Sequence, residues 1–170
     1  MSFKNAEVWR YTQILKDYHA ELLQDFQQYQ YTDWITNNQH NIDTIGLWAF
    51  VPFISKGVHY KKFIQDCPTV GKLLEAVPVF DNCAFSIMGP GAEIKPHKGY
   101  DGDHLRVHLG LQTTGEASIT VSGEKMHWQN KQVIIFDDRE THSTDNPSNE
   151  NRIVFLFDIL TADYYNNLIC

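Results

Sequence analysis

Four blocks in the second half of the chain decide its fold: FSIMGPGAEIKPHKG (85–99), LRVHLGL (105–111), VIIFDDRETHSTDN (133–146) and NRIVFLFDIL (151–160). In the second, with His104 before it, the odd positions Leu105, Val107, Leu109 and Leu111 are apolar. The even positions are His104, Arg106, His108 and Gly110. A strand sends these two sets to opposite faces. One face is core. The other is a row of cations and donors, costly to bury without an anionic or metal partner; its plainer reading is the polar face of a sheet edge. In the last block Arg152, Val154 and Leu156 share one face, and Ile153, Phe155 and Phe157 the other. Such a strand needs cover on its outer side.

Outward from these blocks, CAFSIM, ASITVS, KMHW and QVIIF predict further short strands from about Phe80 on. Turn residues bound them at Gly89-Pro90-Gly91, Asp101-Gly102-Asp103, Ser122-Gly123, Asn130 and Asn146-Pro147. Closely spaced strands of this kind indicate a sandwich or jelly roll. Ahead of them, Val8, Tyr11, Ile14, Leu15, Tyr18, Leu22 and Leu23 recur at threes and fours, which predicts a helix over 5–30. Residues 32–43 are turn-rich. GLWAFVPFI (46–54) predicts a strand, with Pro52 placing its end near a sheet edge. Residues 60–76 predict a helix that Pro68 and Gly71 break into two pieces. The expected organisation is one domain over 1–170: a helical support region at 1–79 with one early strand, and a mostly β, jelly-roll core at 80–160.

Composition excludes several classes. An apolar share of 42% and a charged share of 21% are those of a globular domain. No apolar run approaches the roughly 20 residues of a spanning helix, and the first residues lack a secretory apolar region, so no membrane association and a cytoplasmic location are expected. A net charge of −7 with scattered lysines argues against a nucleic-acid partner. Cys67, Cys83 and Cys170 make neither a disulfide framework nor a zinc pattern and read as reduced thiols.

His97 and His142 each lie beside turn residues at a strand end. Two imidazoles from separate strands can hold a borderline metal such as Fe(II). A non-haem iron triad has a carboxylate two residues after its first histidine, and here that position is Gly99. A rival set of His104, His108 and His142 is conceivable, although His104 follows a turn and can be solvated. Asp137 and Asp138 read either as partners that orient His142 or as a turn-opening pair.

PHKG, LRVHLGL, VIIFDDRETH and RIVFLFDI, in this order and spacing, resemble the aspartyl/asparaginyl β-hydroxylase family of iron and 2-oxoglutarate dependent oxygenases. The likeness runs from about residue 47 to 160 and includes CPTVGKLLEAVP and the SIMGPG turn. It implies a double-stranded β-helix with helices on its outer face. It also implies that His97 and His142 bind Fe(II), that Gly99 stands where other branches keep a carboxylate ligand and water completes the metal shell, and that Arg152 and Ser86 bind the distal carboxylate of 2-oxoglutarate. His108 would contact this cosubstrate near the metal, and Arg106 would grip a substrate carboxylate. His127 and Trp128 match a structural hairpin and carry no assigned chemistry; nor do His19, His40 and His59. The implied reaction hydroxylates a C–H bond of a carboxylate-bearing amino acid, short peptide or biosynthetic intermediate with O2, releasing succinate and CO2. The alternatives are a non-catalytic jelly-roll module that binds a carboxylate metabolite, and a cupin-type metalloenzyme that needs neither Arg152 nor Ser86.

Overall fold

The computed structural model describes residues 1–36 and 42–169. His40, part of the turn-rich stretch and Cys170 lie outside the described residues. In chain order the strands are β1 (Phe3–Lys4), β2 (Ile35–Thr36), β3 (Thr44–Ile45), β4 (Trp48–Ser55), β5 (Val58–His59), β6 (Phe80–Met88), β7 (Ala92–His97), β8 (His104–Gln112), β9 (Ser118–Val121), β10 (Glu124–His127), β11 (Val133–Phe136), β12 (His142–Asn146) and β13 (Arg152–Leu160). The helices are α1 (Thr12–Asp17), α2 (His19–Gln27), α3 (Lys61–Asp66), α4 (Pro68–Ala76) and α5 (Thr161–Asn166).

An eight-stranded sheet runs β1-β11-β8-β13-β6-β4-β2, with β5 also paired to β4; a five-stranded sheet runs β10-β9-β12-β7-β3. Facing each other, they make a jelly roll. The parity of the sequence sorts its two sides. Odd residues of the large sheet, among them Val51, Phe53, Phe85, Val107, Leu109, Ile153, Phe155 and Phe157, are buried against Leu15 and Leu22 of α1 and α2 and Val70 and Leu73 of α4. Even residues point into the barrel, where Ile134, Phe136, Val154 and Leu156 meet Ile119 and Val121 of the small sheet, with Trp128 among them. β8 lies between β11 and β13, so its row of even polar residues is barrel interior and not an exposed edge.

Three local findings refine the sequence expectations. The single helix over 5–30 is divided at Tyr18, and α2 opens with a buried His19 whose Nε2 lies 2.9 Å from the Leu111 carbonyl oxygen of β8. The helix over 60–76 does break in two, at Cys67, with Pro68 at the first turn of α4. Pro52 stands at a short open stretch of the outer side of β4. β2 pairs with β4 at Ala49 and Phe50, and β5 at Ile54 and Ser55. Pro52 falls in the gap between these two short partners, where a missing N–H costs no ladder bond.

Candidate active site

β7 and β12 supply the strand ends that the sequence expects at His97 and His142; AEIKPH alternates small or apolar residues with polar ones, whereas HSTDN is polar throughout. Their backbones pair with each other, and this ladder sets His142 directly opposite His97. The imidazole centroids stand 4.2 Å apart with planes inclined by 56°. His97 Nδ1 lies 2.8 Å from the Lys95 carbonyl oxygen and His142 Nδ1 2.9 Å from that of Glu140. A carbonyl only accepts, so each Nδ1 carries the proton and each Nε2 keeps a free lone pair, the tautomer a metal ligand needs. Burial lowers both pKa values, that of His142 to about 4, and the nearby Arg106 lowers both further. Both rings are therefore neutral at pH 7. Among the described residues no group of three or more His, Cys, Asp or Glu converges on one point, and His97 and His142 face each other as a pair.

Beside the pair lies a buried cation. Arg152 is 3% exposed. Its Nη1 makes only long contacts, 3.4 Å to the Ser86 carbonyl and 3.5 Å to Ser86 Oγ, and its Nε has no partner. The guanidinium sits 4.7 Å over the Trp128 ring, and burial lowers its pKa to about 9. A desolvated cation–π contact contributes about 2 kcal/mol, whereas an unpaired buried ion costs several. The stacking does not close that gap, but a bound anion does. His108 adjoins it, packed between Trp128 and Phe136, with neither ring nitrogen hydrogen-bonded. Burial, then the charge of Arg152, drives its pKa well below the usual value, so it too is neutral. The unpaired atoms of Arg152 and His108, with the Ser86 hydroxyl, suit a bound carboxylate.

The third cluster surrounds Arg106. Its Nε and Nη2 donate to the two Asp158 oxygens at 2.8 and 3.0 Å. Tyr100 Oη and Asn82 Nδ2 also donate to Asp158, at 3.0 and 2.9 Å. Arg106 Nη1 lies 2.8 Å from Asp138 Oδ2, an ion pair whose angle does not make it a hydrogen bond. Asp138 Oδ1 lies 2.8 Å from His104 Nε2. His104, expected near solvent, is fully buried and stacked on Tyr100 at 4.2 Å. Among the described residues it forms no metal set with His108 and His142. Asp137 is a turn residue, bonded to Arg139. Asp138 does not orient His142, whose Nδ1 goes to the Glu140 carbonyl, but fills the space beside Gly99. A Cβ at residue 99 would stand 2.2 Å from Asp138 Oδ2. Glycine at this position is thus a packing requirement of the Asp138 carboxylate.

All six expected site residues, Ser86, His97, Arg106, His108, His142 and Arg152, line one cavity of about 660 Å³. The sequence reading missed Trp128, Tyr100, Asn82 and Asp158. Parity on β13 places Asp158 on the same face as Arg152 and could have found it; Trp128 follows its strand, and no local signal marks it.

Fold and site together define a jelly-roll protein whose cavity brings two facing histidines near a buried arginine with unpaired donors. The chain belongs to the aspartyl/asparaginyl beta-hydroxylase family, whose profile matches residues 9–162. It is 29% identical over 129 residues to the ornithine lipid ester-linked acyl 2-hydroxylase of Rhizobium tropici, covering 74% of this chain and 46% of that protein. It is 30% identical over 125 residues to the human aspartyl/asparaginyl beta-hydroxylase, covering 70% and 16%. It is also 30% identical over 123 residues to the aspartate beta-hydroxylase domain-containing protein 2 of Rattus norvegicus, covering 67% and 36%. The chain thus spans less than half the length of these relatives. Among solved structures, a cupin-like protein from Thermotoga maritima is similar at 9% identity and a TM-score of 0.46, covering 74% of this chain and 76% of that one.

Proposed function

We propose that the protein is an Fe(II) and 2-oxoglutarate dependent hydroxylase. The observation that supports this reading is the buried guanidinium of Arg152, which pairs with no carboxylate among the described residues, in one cavity with two imidazoles whose tautomers leave Nε2 free. Hydroxylation is the term common to the names of the three relatives, one on an acyl chain and others on aspartyl or asparaginyl groups. Those names agree on the reaction and differ on the substrate.

His97 and His142 would hold the metal. Arg152 would fork onto the distal carboxylate of 2-oxoglutarate with two parallel charge-assisted bonds, held flat by Trp128 and assisted by Ser86 Oγ. His108, kept neutral, would donate from one nitrogen to the keto-acid end. The bound pair supplies O2 activation, coupled to decarboxylation of the keto acid to succinate and CO2, and one oxygen atom enters a substrate C–H bond. The protein contributes placement and dryness: Ile119, Trp128, Phe136 and Leu156 line the inner end of the cavity and exclude water. Its partners would be O2 and a small-molecule or peptide substrate. Among the described residues no helix is long and apolar enough to cross a membrane.

Anaerobic addition of Fe(II) and 2-oxoglutarate should produce the weak visible charge-transfer band of a chelated keto acid. Absence of the band, together with unchanged 2-oxoglutarate affinity in Arg152→Ala, would sink the proposal and favour a metal-free binding module.

A further inference from the structure

The sequence suggests that Arg106 grips a substrate carboxylate, and the structure gives that guanidinium other work. Three of its five N–H directions face two fully buried carboxylates, Asp158 and Asp138. Burial disfavours its charge, but Asp158 and then Asp138 outweigh that and raise its pKa. One guanidinium set against two carboxylates leaves this wall of the cavity without positive charge to offer. Of the other cations that line the cavity among the described residues, Arg152 lies at the cosubstrate end, and Lys56 and Lys98 are exposed at the rim. A carboxylate entering beside Arg106 would give up its hydration and meet two like charges at close range, in a setting where a few ångströms are poorly screened.

Farther along the same sheet, the cavity lining points the same way. The inner face of β4 carries Trp48, Phe50 and Pro52 into the cavity, and Ile35 of β2 extends this apolar strip outward, half exposed. Three successive inward positions on one strand are apolar, with no hydrogen-bonding group apart from the Trp48 indole. They contribute contact area to an uncharged body and nothing to a charged one.

We infer that the part of the substrate next to the metal is uncharged and aliphatic, and that Asp158, with Asp138, sets this selectivity by occupying Arg106. The inference rests on the hydroxylase reading for which end of the cavity reacts. Asp158 acts here through Arg106 and is a positioning residue.

Two probes of nearly equal shape separate the outcomes: N-acetyl-leucinamide and the α-amide of N-acetylaspartate, which exchange two methyl groups for two carboxylate oxygens. Their affinities are read by ligand-observed NMR on the full chain, with Mn(II) and 2-oxoglutarate present. The leucyl probe should bind at least tenfold more tightly than the aspartyl probe. Asp158→Asn, which keeps the shape and removes the charge, should tighten the aspartyl probe at least tenfold and move the leucyl probe less than twofold. An aspartyl probe that binds the wild-type protein as well as the leucyl one, a leucyl probe that does not bind, or an unchanged ratio in Asp158→Asn overturns the inference. The wild-type ratio decides alone if the variant does not fold. A separate titration of Mn(II) and 2-oxoglutarate tests the hydroxylase reading. Its failure leaves the probe ratio, repeated on the bare protein, intact.

Discussion

Arg152 and Gly99 are the two residues whose environments demand most of the surrounding structure. A buried guanidinium without an anion is a cost the unliganded fold carries, so Arg152→Met should raise the stability of the ligand-free protein by about 1–4 kcal/mol. The same change should abolish stabilisation by 2-oxoglutarate, because the partner of its distal carboxylate is gone. Thermal melts with and without 2-oxoglutarate check both signs. At Gly99, a side chain meets the Asp138 carboxylate at 2.2 Å. Gly99→Ala should therefore cost about 1–3 kcal/mol as overpacking. In Asp138→Ala, which empties that space, the further change Gly99→Ala should cost clearly less. A denaturant double-mutant cycle measures the difference; additive costs would show that the two positions do not collide.

The histidines are a pH device by virtue of their burial. Burial holds His97, His108 and His142 below their ordinary pKa, His142 at about 4. The unfolded chain takes up these protons near pH 6.5 and the folded chain does not. Stability of the ligand-free protein is therefore flat above about pH 7 and falls as the pH drops from 6.5 toward 4. Urea unfolding at a series of pH values should show this slope. In His142→Leu the slope between pH 6 and 5 should be shallower, by an amount approaching about 1.4 kcal/mol per pH unit for one proton.

Among the elements, β13 carries the most. Its outward residues Ile153, Phe155 and Phe157 are buried under the helices, and its inward residues include Arg152 and Asp158. Phe155 packs against both Phe53 and Phe85. Phe155→Ala should cost about 3–5 kcal/mol, the usual range for a fully buried aromatic side chain, read as a shift in denaturant midpoint. The large loss is expected because the outer face of the sheet is the main core and not a decorated surface. β7 and β12 work differently. They bury few apolar groups and owe their strand geometry to pairing with each other and with β9, so their contribution is placement of His97 and His142.

At the scale of the whole molecule, metal and cosubstrate should act as ligands of the native state alone. Mn(II) with 2-oxoglutarate at about a hundred times the dissociation constant should add about 2.7 kcal/mol to the stability. Chelation of the metal should remove that part of the increment which needs both histidines; His97→Ala should show no metal-dependent increment in a thermal melt.

The sequence by itself determined the layered design. Strict alternation in 104–111 sorts that strand into an apolar and a polar side, 152–160 is apolar on both faces apart from Arg152 and Asp158, and covering the outer apolar side requires the helical first half. This is local information, since the strand period alone specifies which residues share a face. It also marked Ser86, His97, Arg106, His108, His142 and Arg152 as unusual among their neighbours. Which charges meet was settled only by the tertiary structure. Asp158 and Asp138 reach Arg106 across β13 and the loop after β11, Trp128 comes from the small sheet to lie under Arg152, and Asp138 takes the space that Gly99 vacates. None of these pairs is close in sequence, and a charge's worth depends on what stands within a few ångströms of it.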